Sequence, residues 1–288
     1  VIGDFSNIEE IKTKETSMLS VIMSGLNVAQ KELSVVANNL ANASTVGFKR
    51  SDASFLDVFS TNPSANPKIL VGSGAITGEV SRDTGQGSLT STGKVTDLAI
   101  AGAGYFVTKS GDTVTYTRAG NFNVDKDGNI CSSDGAILQS YKPKDDKGAP
   151  DDAATAMQDT KIELTKDNNG TKVTLSSVAI DQKGLISASY SDSSTSYIGY
   201  IGLATFGKEQ ALSSLGGAKY AATIESGDPT LSKSGAPSGT IMSGTLEEAN
   251  VDVTKELMTM IRSQQVYSGN ARMLQTDVEL TQRMTDKL

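Results

Sequence analysis

The 288-residue sequence has no histidine, no tryptophan and a single cysteine, Cys131. Without histidine the chain lacks the usual general base at neutral pH and the commonest zinc ligand, and no Ser-His-Asp or Cys-His nucleophile arrangement can form. One cysteine cannot make an intrachain disulfide. Aromatic residues amount to only 5%. No apolar run approaches the ~20 residues that a bilayer span needs, so no direct membrane insertion is expected. The net charge is −7 and Lys49-Arg50 is the only adjacent basic pair. Phosphate contacts need a basic face, which argues against nucleic acid as a partner. The first residues, Val1 to Glu10, are acidic where a signal peptide is basic, and no apolar core follows them. Classical secretion is therefore not expected.

Small residues fill the space that aromatics leave. The chain carries 28 glycines and long Ser/Thr stretches, a balance that suits short strands joined by many turns. Two helical periodicities bracket this middle. Leu19, Ile22, Leu26, Ala29, Leu33, Val36 and Leu40 recur at alternating three- and four-residue steps, a heptad seam with Ser17 as a candidate cap. Near the other end, Val253, Leu257, Met260, Tyr267, Ala271, Leu274 and Val278 repeat the pattern from about Val251 onward. A second apolar set, Ile261, Met273, Leu280, Met284 and Leu288, lies beside it. Apolar residues on more than one helix face suggest more than one neighbour.

Between the helices strand signals dominate: 97–100, 105–108, 114–117, 121–124, 172–176, 178–180, 185–190 and 197–206. Alternation and Gly/Asp turns predict an antiparallel β body. The expected fold is therefore α+β, with long N- and C-terminal helices paired as a coiled-coil-like inner layer that carries a mostly antiparallel β centre. Residues 1–17 read as an N-terminal extension, 18–60 with 245–288 as a discontinuous helical domain, and 61–244 as a β-rich outer body. Residues 142–170, polar throughout most of their length, read as an exposed insertion.

Few motifs suggest chemistry. Gly102-Ala-Gly104 lacks the Gly-Lys-Ser/Thr ending of a phosphate loop and runs into strand-like Tyr105-Phe106. Asp125-Lys-Asp127-Gly-Asn129 begins like a calcium loop but has Ile130 and Ala136 where that loop needs glycine and glutamate. Acidic pairs such as Asp145-Asp146 and Glu247-Glu248 read as solvated surface. No catalytic residue, metal site or cofactor is expected.

The stretch Asn38-Asn-Leu-Ala-Asn-Ala-Ser-Thr-Val-Gly-Phe-Lys-Arg50 is more specific than a helix stop requires, because asparagine side chains can satisfy helix-end backbone while donating across an interface. Together with Leu33 to Ala37 it closely resembles the N-terminal motif of flagellar rod and hook proteins. The resemblance continues through Gln86 to Gly93, Asp97 to Phe106, Tyr116 to Phe122, Gly202 to Phe206, and Gly244 to Asp252. Met260 to Tyr267 in the last helix is similar to the family's C-terminal region, so the likeness covers most of 18–288.

The resemblance implies a structural, non-enzymatic subunit that stacks helically into a hollow tube transmitting torque. Its partners would be copies of itself, neighbouring rod and hook proteins, and the flagellar type III export apparatus. It would sit in the periplasm-spanning rod, or outside the cell if it is hook. Chain length is closer to rod subunits, whereas Val80 to Gly93 and Ala188 to Asp192 look more like hook. The expected assembly interface comprises Leu19, Ile22, Leu26, Leu33, Val36, Asn38, Asn39, Leu40, Asn42, Gly47 and Phe48, with Asn250, Val251, Asp252, Leu257, Met260, Tyr267, Leu274 and Val278. A β-rich adhesin on a coiled-coil stalk and a carboxylate-pair hydrolase are the competing classes.

Overall fold

The computed structural model describes residues 3–59, 72–143, 157–168, 171–235 and 238–286. The chain divides into two compact units, one built from three separate segments and the other from two.

The first unit holds the helices α1 (Gly3–Ala41) and α2 (Val253–Thr285) with a strand pair, β1 (Ser51–Phe59) and β2 (Gly72–Arg82). α1 and α2 pack on each other, and the strand pair packs on α1. β1 and β2 are antiparallel, from Ser51 opposite Arg82 to Phe59 opposite Gly72. The sequence reading contains no strands here, because Ser, Asp and Gly interrupt the alternation. α1 also begins earlier than the Ser17 cap proposed for it, so the stretch read as an extension is helical from Gly3. α2 starts as expected. Asp252 Oδ1 accepts from the backbone N–H of Thr254 at 2.9 Å and of Lys255 at 3.1 Å, satisfying two donors that a helix start leaves orphaned.

The second unit is the β body. Its strands are β3 (Leu89–Ser91), β4 (Leu98–Ala101), β5 (Tyr105–Ser110), β6 (Thr113–Thr117), β7 (Asn123–Val124), β8 (Ile130–Cys131), β9 (Ile137–Tyr141) and β10 (Met157–Asp159). They continue with β11 (Thr165–Asn168), β12 (Thr171–Ile180), β13 (Leu185–Tyr190), β14 (Thr195–Thr205), β15 (Ser213–Gly216), β16 (Lys219–Ala221), β17 (Thr230–Lys233), β18 (Thr240–Ser243) and β19 (Thr245–Glu247). Every pairing among the described residues is antiparallel. The main sheet runs β11-β12-β13-β14-β9-β5-β6-β16-β15, while β18 pairs β4 and β19 pairs β3.

Successive side chains on a strand point to opposite faces, and β5 uses both. Phe106 joins Phe122, Leu138, Ile186, Ile201 and Leu203 in one core. Its neighbours Tyr105 and Val107 join Tyr116, Phe206, Leu212 and Tyr220 in another. Rings meet edge to face, Tyr116 with Phe206 at 4.8 Å and Phe106 with Phe122 at 5.5 Å between centroids, the favoured arrangement for aromatic quadrupoles.

Residues 142–170 divide. Positions 144–156 and 169–170 fall outside the described residues. Met157–Asp159 instead pairs with β9, and Thr165–Asn168 with β12. Ile162 between them is fully buried in the first core. A lone isoleucine in a polar run leaves no periodicity to read, which is why this stretch resembles an insertion in the sequence.

Candidate assembly surface

On α1 the heptad seam faces inward. Ile22, Ala29 and Val36, seven residues apart, are buried, while Leu26, Leu33 and Leu40 are half-buried and Leu19 is exposed. α2 behaves differently. Its buried positions are Glu256 and Ser263, with Met260, Asn270, Ala271 and Leu274 half-buried. Leu257, Tyr267 and Val278 are 42%, 41% and 55% exposed. Met258, Ile261, Met273 and Leu280 stand exposed with them. The helix lays a mixed stripe, with polar Glu256 and Ser263 its most buried members, against its own chain and turns most of its large apolar residues outward. Periodicity could not distinguish these faces, because apolar residues occupy both.

The buried polar members of that stripe are paired. Asn39 is buried and fully used. Its Nδ2 donates to Ser51 O at 2.8 Å and its Oδ1 accepts from Ser51 N at 2.9 Å, copying a strand pairing at the end of the helix. The same Nδ2 lies 3.3 Å from Glu256 Oε2. Ser263 Oγ donates to Glu32 Oε2 at 2.6 Å. Asn38 is exposed beside Asn39, Val251 is half-buried, and Asp252 is exposed apart from its capping role.

In the β unit, the motif after α1 forms an elbow. Thr45 N donates to Asn42 O at 3.0 Å and Phe48 N to Thr45 O at 3.2 Å. Gly47, at φ +68°, has no room for a side chain, since a Cβ there would sit 2.4 Å from Ala119 N. Gly47 N donates to Glu247 O at 2.8 Å. Half-buried Asn250 closes the elbow from the other side: its Oδ1 accepts from Arg50 N at 2.7 Å and its Nδ2 donates to Gly85 O at 3.0 Å.

Beneath the elbow lies an ion cluster that the sequence reading does not contain. Glu247, read as solvated surface, is fully buried, and so is Lys49 to within 2%. Lys49 Nζ donates to Glu247 Oε1 at 2.6 Å and to Gly85 O at 2.7 Å. Arg118 reaches Glu247 Oε2 at 3.2 Å and Gly102 O at 2.9 Å, and its guanidinium lies 5.2 Å from the centre of the Tyr105 ring. Gly87 N adds a further donor to Glu247 at 3.0 Å. Burial pushes the Lys49 ammonium below its ordinary value, and its hydrogen bond to Glu247 only partly offsets this. Burial raises the Tyr105 phenol, and the charge of Glu209 raises it further. The sequence signal was present but spread out, because Lys49, Arg118 and Glu247 each sit inside one of the motifs quoted above, far apart in the chain.

This geometry is that of a joint, in which most polar groups are consumed by one another and only Arg118 Nε within the cluster is buried without a hydrogen-bond partner. Among the described residues no group of three or more His, Cys, Asp or Glu side chains is placed to hold a metal ion.

Three family models match the chain. Residues 19–49 match the flagella basal body rod protein model, 99–188 the flagellar hook protein FlgE/F/G D1 domain, and 242–287 the flagellar basal body rod FlgEFG protein C-terminal model. The flagellar basal-body rod protein FlgG of Bacillus subtilis is 31% identical over 277 residues, covering 92% of this chain and 96% of that protein. FlgG of Caulobacter vibrioides is 31% identical over 279 residues, with the same coverage of 92% and 96%. The flagellar hook protein FlgE of Treponema pallidum is 37% identical over 138 residues, covering 44% of this chain and 30% of that protein. The two motifs that build the elbow fall within the first and last family models, residues 42–49 inside the one and 244–250 inside the other. The chain belongs to the flagellar basal-body rod and hook protein family.

Proposed function

We propose that this chain is a structural subunit of the flagellar basal-body rod, polymerising helically with copies of itself into the axial tube that carries torque. The observation that carries rod over hook is extent: similarity to rod proteins runs through 92% of the chain, and similarity to the hook protein through 44%. The geometry is in keeping with a subunit whose contacts are to its own kind. α2 exposes Leu257, Ile261 and Val278, apolar groups that solvent does not favour. A contact between unlike surfaces of successive copies does not close on itself, so it builds a filament and not a ring.

The expected interface residues divide by role under this reading. Leu19, Leu257, Tyr267 and Val278 meet neighbouring copies. Ile22, Val36 and Asn39 shape the helix pair from inside, and Gly47, Phe48 and Asn250 hold the elbow. Further partners are adjoining rod and hook proteins and the type III export apparatus, and the site of action is the periplasm.

The test is to delete the gene in its source organism and image purified basal bodies by electron microscopy. A truncated rod without a hook is expected. A complete rod ending bare makes the chain a hook subunit, and normal flagella defeat the proposal.

A further inference from the structure

Two side-chain hydrogen bonds between α1 and α2 share one spacing. Asn39 meets Glu256 at 3.3 Å and Glu32 meets Ser263 at 2.6 Å, each seven residues from the next along its own helix. The same step leads to Gly25 and Asn270. There a Cβ on Gly25 would lie 2.7 Å from Asn270 Nδ2, so glycine is what lets the amide lie against α1. Glycine inside a helix costs about 1 kcal/mol relative to alanine. Its presence at this rung is explained by the close approach.

We infer that these three rungs, 39 with 256, 32 with 263 and 25 with 270, specify the antiparallel register in which α2 accepts α1. Apolar contacts attract without fixing position, whereas a polar group at a seam position fixes register at some expense of stability. The half-buried leucines Leu26, Leu33 and Leu40 recur every seven residues and would be replaced by one another after a one-heptad slide. The rungs would not. A slide in one direction sets Glu256 opposite Glu32, two carboxylates facing each other. A slide in the other carries Glu256 past the end of α1 at Ala41 and sets Asp277 against Gly25. Both alternatives lose paired groups, and the first adds like-charge repulsion. Arg262, 3.8 Å from Glu32 and largely exposed, adds one favourable charge to the native register. The ladder therefore allows each α2 to select its own α1 in one alignment, a property that matters in an assembly of many similar helices.

The register can be read as a distance. In the full chain with Cys131→Ser, spin labels on Ala37→Cys and Gln275→Cys, both exposed positions, report the axial offset of the two helices. One heptad of sliding changes that offset by about 10 Å. Pulsed dipolar spectroscopy on the otherwise native chain is expected to give one distance. Replacing the rungs by leucine, as Glu32→Leu, Asn39→Leu and Asn270→Leu together, is expected to add a second distance displaced by about 10 Å while helicity by circular dichroism is kept. Glu256→Gln is the conservative check, since it preserves shape and hydrogen bonding but removes the repulsion that forbids one slide. It too is expected to add the second distance as a minor population. A single unchanged distance in the leucine variant overturns the inference. If that variant fails to fold, the same result in Glu256→Gln overturns it. A featureless distribution in the native chain does so as well.

Discussion

At the scale of residues, the most consequential group is the buried carboxylate of Glu247, which serves Lys49, Arg118 and the backbone of Gly87 at once. Removing one partner from a buried ion cluster strands the remaining charges and costs about 3–5 kcal/mol. Glu247→Ala is therefore expected to lower the unfolding free energy of the β unit, read from urea denaturation, by an amount in that range, whereas Glu248→Ala, on the exposed side, should change little. Alkaline pH probes another set of residues. Burial raises the phenols of Tyr105, Tyr116, Tyr141, Tyr190 and Tyr200 above their ordinary value of about 10. The unfolded chain releases those protons first, so the stability they contribute is complete below about pH 10 and declines as pH rises through the raised values. Lys49 acts in the opposite sense, but only up to the ordinary lysine value of about 10.4. Unfolding midpoints above that pH are expected to fall steadily, and Tyr105→Phe should blunt the fall. Residue types alone could not have foretold this cluster, because a charged side chain in a loop motif is solvated unless the fold closes over it.

Among the elements, legibility depended on how many faces each one buries. The sequence predicts β13 with its observed bounds, since its burial alternates along the strand. β12 looks like two strands in the sequence because a bulge between Leu175 and Ser177 breaks the alternation. The helices are legible as helices, but α2's inward face is not, for its two buried residues, Glu256 and Ser263, are polar and only their partners on α1 reveal them. That division yields a prediction. Leu257→Asp changes an exposed position in the single chain, where surface substitutions usually stay within about 0.5 kcal/mol. Its unfolding midpoint should be near that of the unmodified chain, while rod assembly in a complementation assay should be lost. If motility persists, the outward apolar face of α2 is not a subunit contact.

Over the whole molecule, the two units differ in how the chain enters them. The β unit draws on residues 42–50 and 84–250, whereas the helical unit needs residues from both ends of the sequence. A chain stopped after Asn250 should keep the cores around Phe106 and Tyr105, visible as the near-ultraviolet signal of their tyrosines. It should lose the helix pair and with it assembly. The α+β outline followed from composition and periodicity, but this interleaving did not, because nothing local to residue 39 points to a partner at 256. The contact between them spans 217 positions. Sequence order thereby acts as a clock: the first helix, complete at Ala41, stays without its mate until residues 253–285 have been made. A copy that stops short of residue 253 carries half of a two-part key.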